Sequence, residues 1–150
     1  MTIYEDENVR IEYNSAVPCI IWTPLNFMKG EAWRNPFIKA MDFLSKKIKT
    51  VPNITWLNNS VKLKTVAMDD LKWLNKNVTE VCYKLGLKKV AFVLPDNIFG
   101  RMAVKFYVDF TNKRTDNQFE IKAFRKYDDA ENWLKTTIAV GEESSIPLTT

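Results

Sequence analysis

Three strand-then-helix units in succession constrain the fold of this chain more than any other feature. Short strand-like runs at residues 54–59, 90–94 and 119–124 each precede a stretch in which apolar residues recur at helical spacing. Neighbouring parallel strands require helical crossovers of this kind, because a tight turn joins only antiparallel strands. The pattern therefore predicts an α/β protein whose sheet is mostly parallel.

The beginning of the chain predicts an antiparallel hairpin. Val9, Ile11 and Tyr13 alternate with polar residues, which is the period of a half-buried strand. Turn residues follow at 14–16, and a second, apolar run occupies 18–22. Together with the three later strands, the hairpin predicts a mixed, mostly parallel sheet of five strands.

Apolar spacing predicts about four helices. The first covers residues 31–49, with Pro36 in its first turn because a proline further inside removes a backbone hydrogen bond. The second ends at Gly86, which is expected to form a left-handed cap. Its expected apolar stripe consists of Leu71, Leu74, Val78, Val81 and Leu85. The expected apolar lining of the third consists of Phe99, Ala103, Phe106 and Phe110.

The fourth helix is expected to begin at Asp128 and Asp129, which suit a helix start as a cap and as acidic residues in the first turn. From about residue 136 the composition changes to that of a tail. We therefore expect a single domain over residues 1–136 and a C-terminal tail over residues 137–150.

Composition excludes several kinds of chemistry. The chain contains no histidine, which removes Ser-His-Asp and Cys-His catalysis and the usual zinc and non-haem iron sites. Its four glycines do not cluster into a loop that could hold a phosphate. We predict a protein that is not an enzyme and has no cofactor and no metal. An enzyme acting through Glu, Lys or Tyr is the alternative.

The distribution of charge bears on the partner. Residues 61–92 contain seven lysines and three acidic residues, so the whole net charge of +4 resides there. The segment has no arginine for bidentate phosphate contacts, and a solvated helix face is the simpler explanation. Nucleic acid is therefore not expected as a partner.

The chain shows no sign of export or membrane insertion. No run approaches the ~18 consecutive apolar residues of a spanning helix, and the acidic N-terminus lacks the apolar core of a signal peptide. We expect a cytoplasmic protein without a transmembrane segment. Cys19 and Cys82 are accordingly expected as free, buried thiols.

Ser60 and Thr65 form the candidate site. They lie between the strand that starts at Ile54 and the second helix. Ligands of open α/β sheets bind beside the carboxyl ends of strands, and helix N-termini favour anions. We predict an anion-binding or phosphorylation site at these two hydroxyls, with Asn58 and Asn59 as neighbours. A polar turn without a function is the alternative.

Four segments together resemble a known family. They are residues 54–60 (Ile-Thr-Trp-Leu-Asn-Asn-Ser), 73–75 (Trp-Leu-Asn), 86–93 (Gly-Leu-Lys-Lys-Val-Ala-Phe-Val) and 129–134 (Asp-Ala-Glu-Asn-Trp-Leu), with Phe124 before the last. In this order and spacing, over about residues 9–135, the chain resembles the SpoIIAA-like branch of the STAS domain superfamily.

The resemblance implies a mixed sheet with four helices, used as a non-enzymatic regulatory module that binds another protein. Family members that antagonise anti-sigma factors are phosphorylated on a serine at the corresponding helix start, and this chain has Asn59-Ser60 in that region. The resemblance thus implies phospho-control at Ser60 or Thr65. A SEC14-like function, as a carrier of a lipid or small apolar ligand, is the alternative. A homodimer is also left open.

Overall fold

The structure is a mixed sheet covered by helices on both faces. This computed structural model describes residues 1–114 and 120–144, with the side chains of 1–112 and 120–136. The strands are β1 (Thr2–Glu5), β2 (Val9–Asn14), β3 (Cys19–Pro24), β4 (Thr55–Asn59), β5 (Lys89–Val93) and β6 (Glu120–Phe124). They lie in sequence order across the sheet. The pairs from β1 to β3 are antiparallel and those from β3 to β6 are parallel, which confirms the predicted class.

The sheet has one strand more than the five predicted. The additional strand is β1, which pairs antiparallel with β2 at the edge of the sheet. The Asp6 carboxylate closes the turn between them by accepting the backbone N–H groups of Asn8 and Val9 at 2.7 and 3.0 Å. The prediction missed β1 because its acidic, half-exposed sequence lacks the regular alternation of an internal strand.

In the described part of the chain, four helical rods connect and cover the strands, as predicted. They are α1 (Glu31–Lys47), a continuous rod of α2 (Met68–Leu74), a π-helical turn (Asn75–Thr79) and α3 (Glu80–Leu85), then α4 (Ile98–Arg114) and α5 (Tyr127–Ser144). Gly86 ends the second rod in the left-handed conformation, at φ 107°, which confirms the predicted cap. Helix α5 extends through Ser144, beyond the predicted start of the tail, and residues 145–150 lie outside the described part.

Two apolar cores flank the sheet. The larger core lies between one sheet face and the three rods that connect the parallel strands. The smaller core lies on the other face, where Ala130 and Leu134 of α5 pack on Leu57 of β4 and Val93 of β5. Successive side chains of a strand point to opposite faces, so each residue of β4 belongs to one core or the other.

The prediction that Pro36 lies in the first turn of α1 was wrong. The helix begins at Glu31, so Pro36 lies inside it. The buried side chains Trp33, Phe37 and Ala40 hold this part of α1 against the sheet. Tertiary packing therefore keeps the helix continuous despite the backbone hydrogen bond that proline cannot make.

The second rod buries most of the predicted stripe, but Val81 is exposed and Cys82 is buried in its place. The π-helical turn explains the difference, because its wider turns rotate the residues that follow it relative to a regular α-helix. The sequence pattern assumed one regular helix throughout.

Helix α4 buries Ala103 as predicted, but the other three residues of the predicted lining, Phe99, Phe106 and Phe110, are exposed. Gly100 explains this orientation: a Cβ atom there would lie 2.4 Å from the backbone oxygen of Leu63. That close contact turns the Gly100 side of the helix inward. The buried side chains of α4 are Ala103, Val104, Tyr107 and Thr111.

Candidate functional site

An apolar cavity lies between the sheet and the three rods of the larger core. Its lining includes Pro24 at the end of β3, Asn58 on β4 and Phe92 on β5. These residues place the cavity toward the carboxyl edge of the parallel strands, which is where ligands bind in open α/β sheets. Helices α1, α2 and α4 supply the opposite wall.

Aromatic rings form one wall of the cavity around Phe37. The Phe37 ring stacks on Trp22 of β3 with a centroid distance of 3.6 Å and an angle of 10°. It also lies 4.8 Å from Trp33 in an edge-to-face arrangement and 6.4 Å from Trp56. Large rings packed in this way leave a rigid apolar surface that can accept another flat or aliphatic group.

Strand β4 contributes a polar corner to the cavity. The Trp56 indole N–H donates to the Asn58 side-chain oxygen at 3.1 Å, and the Ser60 hydroxyl donates to the Asn58 backbone oxygen at 3.4 Å. Asn58 and Ser60 both line the cavity and both are buried. The corner therefore offers an amide and a hydroxyl in an otherwise apolar space.

The helices contribute a second polar corner. The hydroxyls of Thr79 and Tyr107 are hydrogen-bonded to each other and line the cavity. Behind them, the Asn75 side-chain nitrogen donates to Thr111 Oγ1 at 2.9 Å. Burial raises the pKa of Tyr107, so its hydroxyl stays protonated. Thr79 ends the π-helical turn, a type of distortion often found at functional sites.

The chemistry of the cavity is that of a binding site. Among the described residues, no charged side chain lines it. The Cys82 thiol is on the wall, and burial raises its pKa to about 12, so the thiol is neutral and a poor nucleophile. Within the described chain, no group of three or more Cys, Asp or Glu side chains could hold a metal ion.

The cavity is small. Its volume is about 60 Å³. Leu63 and Val66, from the loop between β4 and α2, form part of its wall.

Comparison with known proteins identifies the type of fold. No protein-family model and no curated protein matches the chain. Among solved structures, it is similar to a protein from Shewanella loihica PV-4 described as an uncharacterized member of the DUF3478 family with a SpoIIAA-like fold. The two share 18% sequence identity at a TM-score of 0.53, over 87% of this chain and 98% of that one. This chain has a SpoIIAA-like fold. At this identity the likeness shows the fold alone.

The SpoIIAA-like fold separates the four residues of the predicted site. Asn58 and Ser60 lie on the cavity side of β4. Asn59 lies on the other face, paired in register with Val93 of the smaller core. Thr65 is exposed in the following loop. Strand alternation explains the separation, because neighbours in a strand point to opposite faces. A role for Ser60 or Thr65 in modification stays a prediction.

Sequence reasoning missed the polar corner on the helices. Thr79 and Tyr107 belong to different rods, and each occurs within a helical apolar pattern that reads as core. A threonine on the buried side of a helix, which needs a hydrogen-bond partner, was the available signal.

Asp70 lies in the first turn of α2 and forms contacts across the fold. Its carboxylate accepts the Gly30 backbone N–H and the Arg34 Nε–H, both at 3.0 Å. The side chain is buried, and it joins the start of α1 to α2 beside the cavity.

Within the described ranges, no helix is both long enough and apolar enough to cross a bilayer.

Proposed function

We propose that this protein binds a small, mostly apolar ligand carrying one hydrogen-bonding group. The observation that supports the proposal is the cavity itself: an aromatic wall, no charged side chain among the described residues that line it, and two polar corners. A ligand hydroxyl or carbonyl at either corner would be recognised by Asn58 and Ser60, or by Thr79 and Tyr107.

This proposal favours the carrier alternative over a phospho-regulated module. Ser60 is 3% exposed and its hydroxyl is hydrogen-bonded within the chain, so a kinase could reach it only after β4 or the following loop opens. Thr65 is accessible but lies outside the cavity. Neither hydroxyl offers a site whose chemistry compares with that of the cavity. Regulation through a partner protein therefore stays a prediction.

The proposal is tested by filling the cavity. Ala103 on α4 lines it, and a leucine there would occupy the space that the ligand needs. We expect titration of the native protein with p-cresol or 1-hexanol to produce a saturable change in the fluorescence emission of Trp22, Trp33 and Trp56. The Ala103→Leu variant should lose this response while remaining folded by circular dichroism.

Ala123→Leu provides the matched control. Ala123 is exposed on β6 and does not line the cavity, so the same substitution there should leave the titration unchanged. A saturable response that persists in folded Ala103→Leu protein would place binding elsewhere. A native protein that shows no response to either probe, and no retained compound by native mass spectrometry, would overturn the proposal.

A further inference from the structure

The outward side of α4 is apolar along most of its length. Ile98, Phe99 and Met102 are 65%, 63% and 61% exposed, and Phe106 and Phe110 are 42% and 39% exposed. We call these five side chains the apolar face of α4. Phe106 and Phe110 stack with a centroid distance of 6.0 Å. A contiguous exposed row of this kind marks an interaction surface, whereas scattered apolar residues do not.

Basic side chains lie on α4 and on the segments next to it. Lys72 of α2 lines a shallow groove together with Phe106 and Phe110, and Lys76 follows in the π-helical turn of the same rod. Leu63 contacts Gly100 of α4, so the loop lysines Lys62 and Lys64 flank its first turn. All four lysines are exposed.

The charge around the face is therefore positive overall. Arg101 and Lys105 on α4 add two more exposed basic groups. The exposed acidic side chains of these segments are Asp69, Asp96 and Asp109. Four of the seven lysines in residues 61–92 thus belong to the loop and the rod next to α4.

We propose that the apolar face of α4 docks on the surface of an anionic lipid bilayer. Its phenylalanines and methionine would enter the headgroup boundary, as on amphipathic helices that lie in the membrane surface. The flanking lysines would contact anionic headgroups, each contributing about 1 kcal/mol. Long lysine side chains can do this while their stems cover apolar surface. Docking requires no ligand in the cavity and does not depend on the proposed function.

The choice of lysine favours a bilayer over a protein partner. Lysine is depleted at protein–protein interfaces, where aromatic residues, methionine and arginine are enriched. Among the described side chains around the apolar face of α4, five of the six basic groups are lysines. A bilayer also accepts a convex helix surface without a complementary groove. A second copy of this chain would instead bring two sets of lysines together, at an electrostatic cost.

Vesicle co-sedimentation tests the proposal. We expect the full chain to bind vesicles of phosphatidylcholine containing one third phosphatidylglycerol, to bind pure phosphatidylcholine weakly, and to lose binding as salt increases. Lys72→Gln combined with Lys76→Gln should lower the partition coefficient about 30-fold. Phe99→Ser combined with Met102→Ser should lower it by at least about 30-fold. Since all four side chains are exposed, the variants should keep the native melting temperature within a few degrees.

Matched controls lie elsewhere on the molecule. Ile38→Ser changes an apolar side chain on α1 that is 50% exposed. Lys49→Gln combined with Lys84→Gln removes the same charge near the ends of α1 and α3. Neither should alter the partition coefficient.

Three results would overturn the proposal. The first is failure to bind either vesicle, and the second is equal binding to both, which would remove the role of the lysines. The third is a dimer that is stable in light scattering and dissociates in the Phe99→Ser, Met102→Ser variant, which would identify a second copy as the occupant.

Discussion

At the scale of single residues, Asp70 explains how the chain arranges the helices around the cavity. Its carboxylate is 2% exposed and holds the backbone at Gly30 and the side chain of Arg34. Arg34 also lies over the Trp73 ring at 5.4 Å. One carboxylate thus ties the start of α1 to α2, and both helices contribute to the cavity wall. Hydrogen bonds to a charged group of this kind are stronger than neutral ones.

Removing this carboxylate should destabilise the fold. Asp70→Ala leaves the Gly30 N–H and the Arg34 guanidinium without their partner, and we expect a loss of about 2–3 kcal/mol in the free energy of unfolding. Arg34 is partly exposed and can recover some hydration, so the loss should stay below that of a fully buried pair. Urea unfolding followed by tryptophan fluorescence gives the value.

Asp69 provides the neighbouring control. It is exposed on the same turn of α2, and Asp69→Ala should change the free energy of unfolding by no more than about 0.5 kcal/mol. Equal effects of the two substitutions would show that the charge near the helix start, and not the specific contacts of Asp70, carries the stabilisation.

The burial of the two thiols predicts how the free energy of unfolding depends on pH. Burial raises the pKa of Cys19 and of Cys82 to about 12, from an ordinary value of 9.0. In the native state both thiols therefore remain protonated at pH values at which an unfolded thiol ionises. The unfolded state is favoured progressively as pH rises from about 9 to 12, so the free energy of unfolding should fall over this range.

The rate of thiol labelling tests the burial of Cys19 and Cys82. At pH 8 native protein should react with 5,5′-dithiobis(2-nitrobenzoate) only at the rate at which it opens, and both thiols should react rapidly in denaturant. Prompt labelling of native protein would show that one of the two cysteines is accessible, contrary to their burial.

At the scale of secondary structure, helices were easier to predict than their orientations. Helix α4 was expected from its apolar spacing, but both of its sides carry large apolar groups. The spacing of the apolar residues therefore identified the helix, but it did not determine which side is buried. The selection comes from Gly100, whose contact with the Leu63 backbone is a tertiary fact that no spacing in the sequence contains.

The role of Gly100 is testable by adding one methyl group. A Cβ atom at this position would lie 2.4 Å from the Leu63 oxygen and 2.8 Å from Pro95 Cβ, so the loop or the helix must shift. We expect Gly100→Ala to destabilise the protein by about 1–3 kcal/mol, although alanine is the better helix former. Thermal unfolding monitored by circular dichroism measures the change.

Met102→Ala is the comparison for this prediction. Met102 is on the outward side of the same helix, so the free energy of unfolding should change by no more than about 0.5 kcal/mol. A Gly100→Ala variant as stable as the native protein would mean that another contact fixes the orientation of α4.

At the scale of the whole molecule, the strand-then-helix order predicted the parallel part of the sheet and its covering helices. The SpoIIAA-like fold agrees with that order. The cavity could not be predicted in this way. Its wall joins Trp22, Trp56, Leu71 and Tyr107, which are distant in sequence and each indistinguishable from ordinary core residues. Of the predicted site, Asn58 and Ser60 line the cavity.

The central claim is that the cavity holds a compound. Native mass spectrometry of freshly purified protein, followed by identification of what is released on denaturation, measures this directly. The account predicts an additional mass on the native chain, a released compound that is small and mostly apolar, and loss of that mass in folded Ala103→Leu protein but not in Ala123→Leu. Native protein without added mass that also binds neither p-cresol nor 1-hexanol would contradict it.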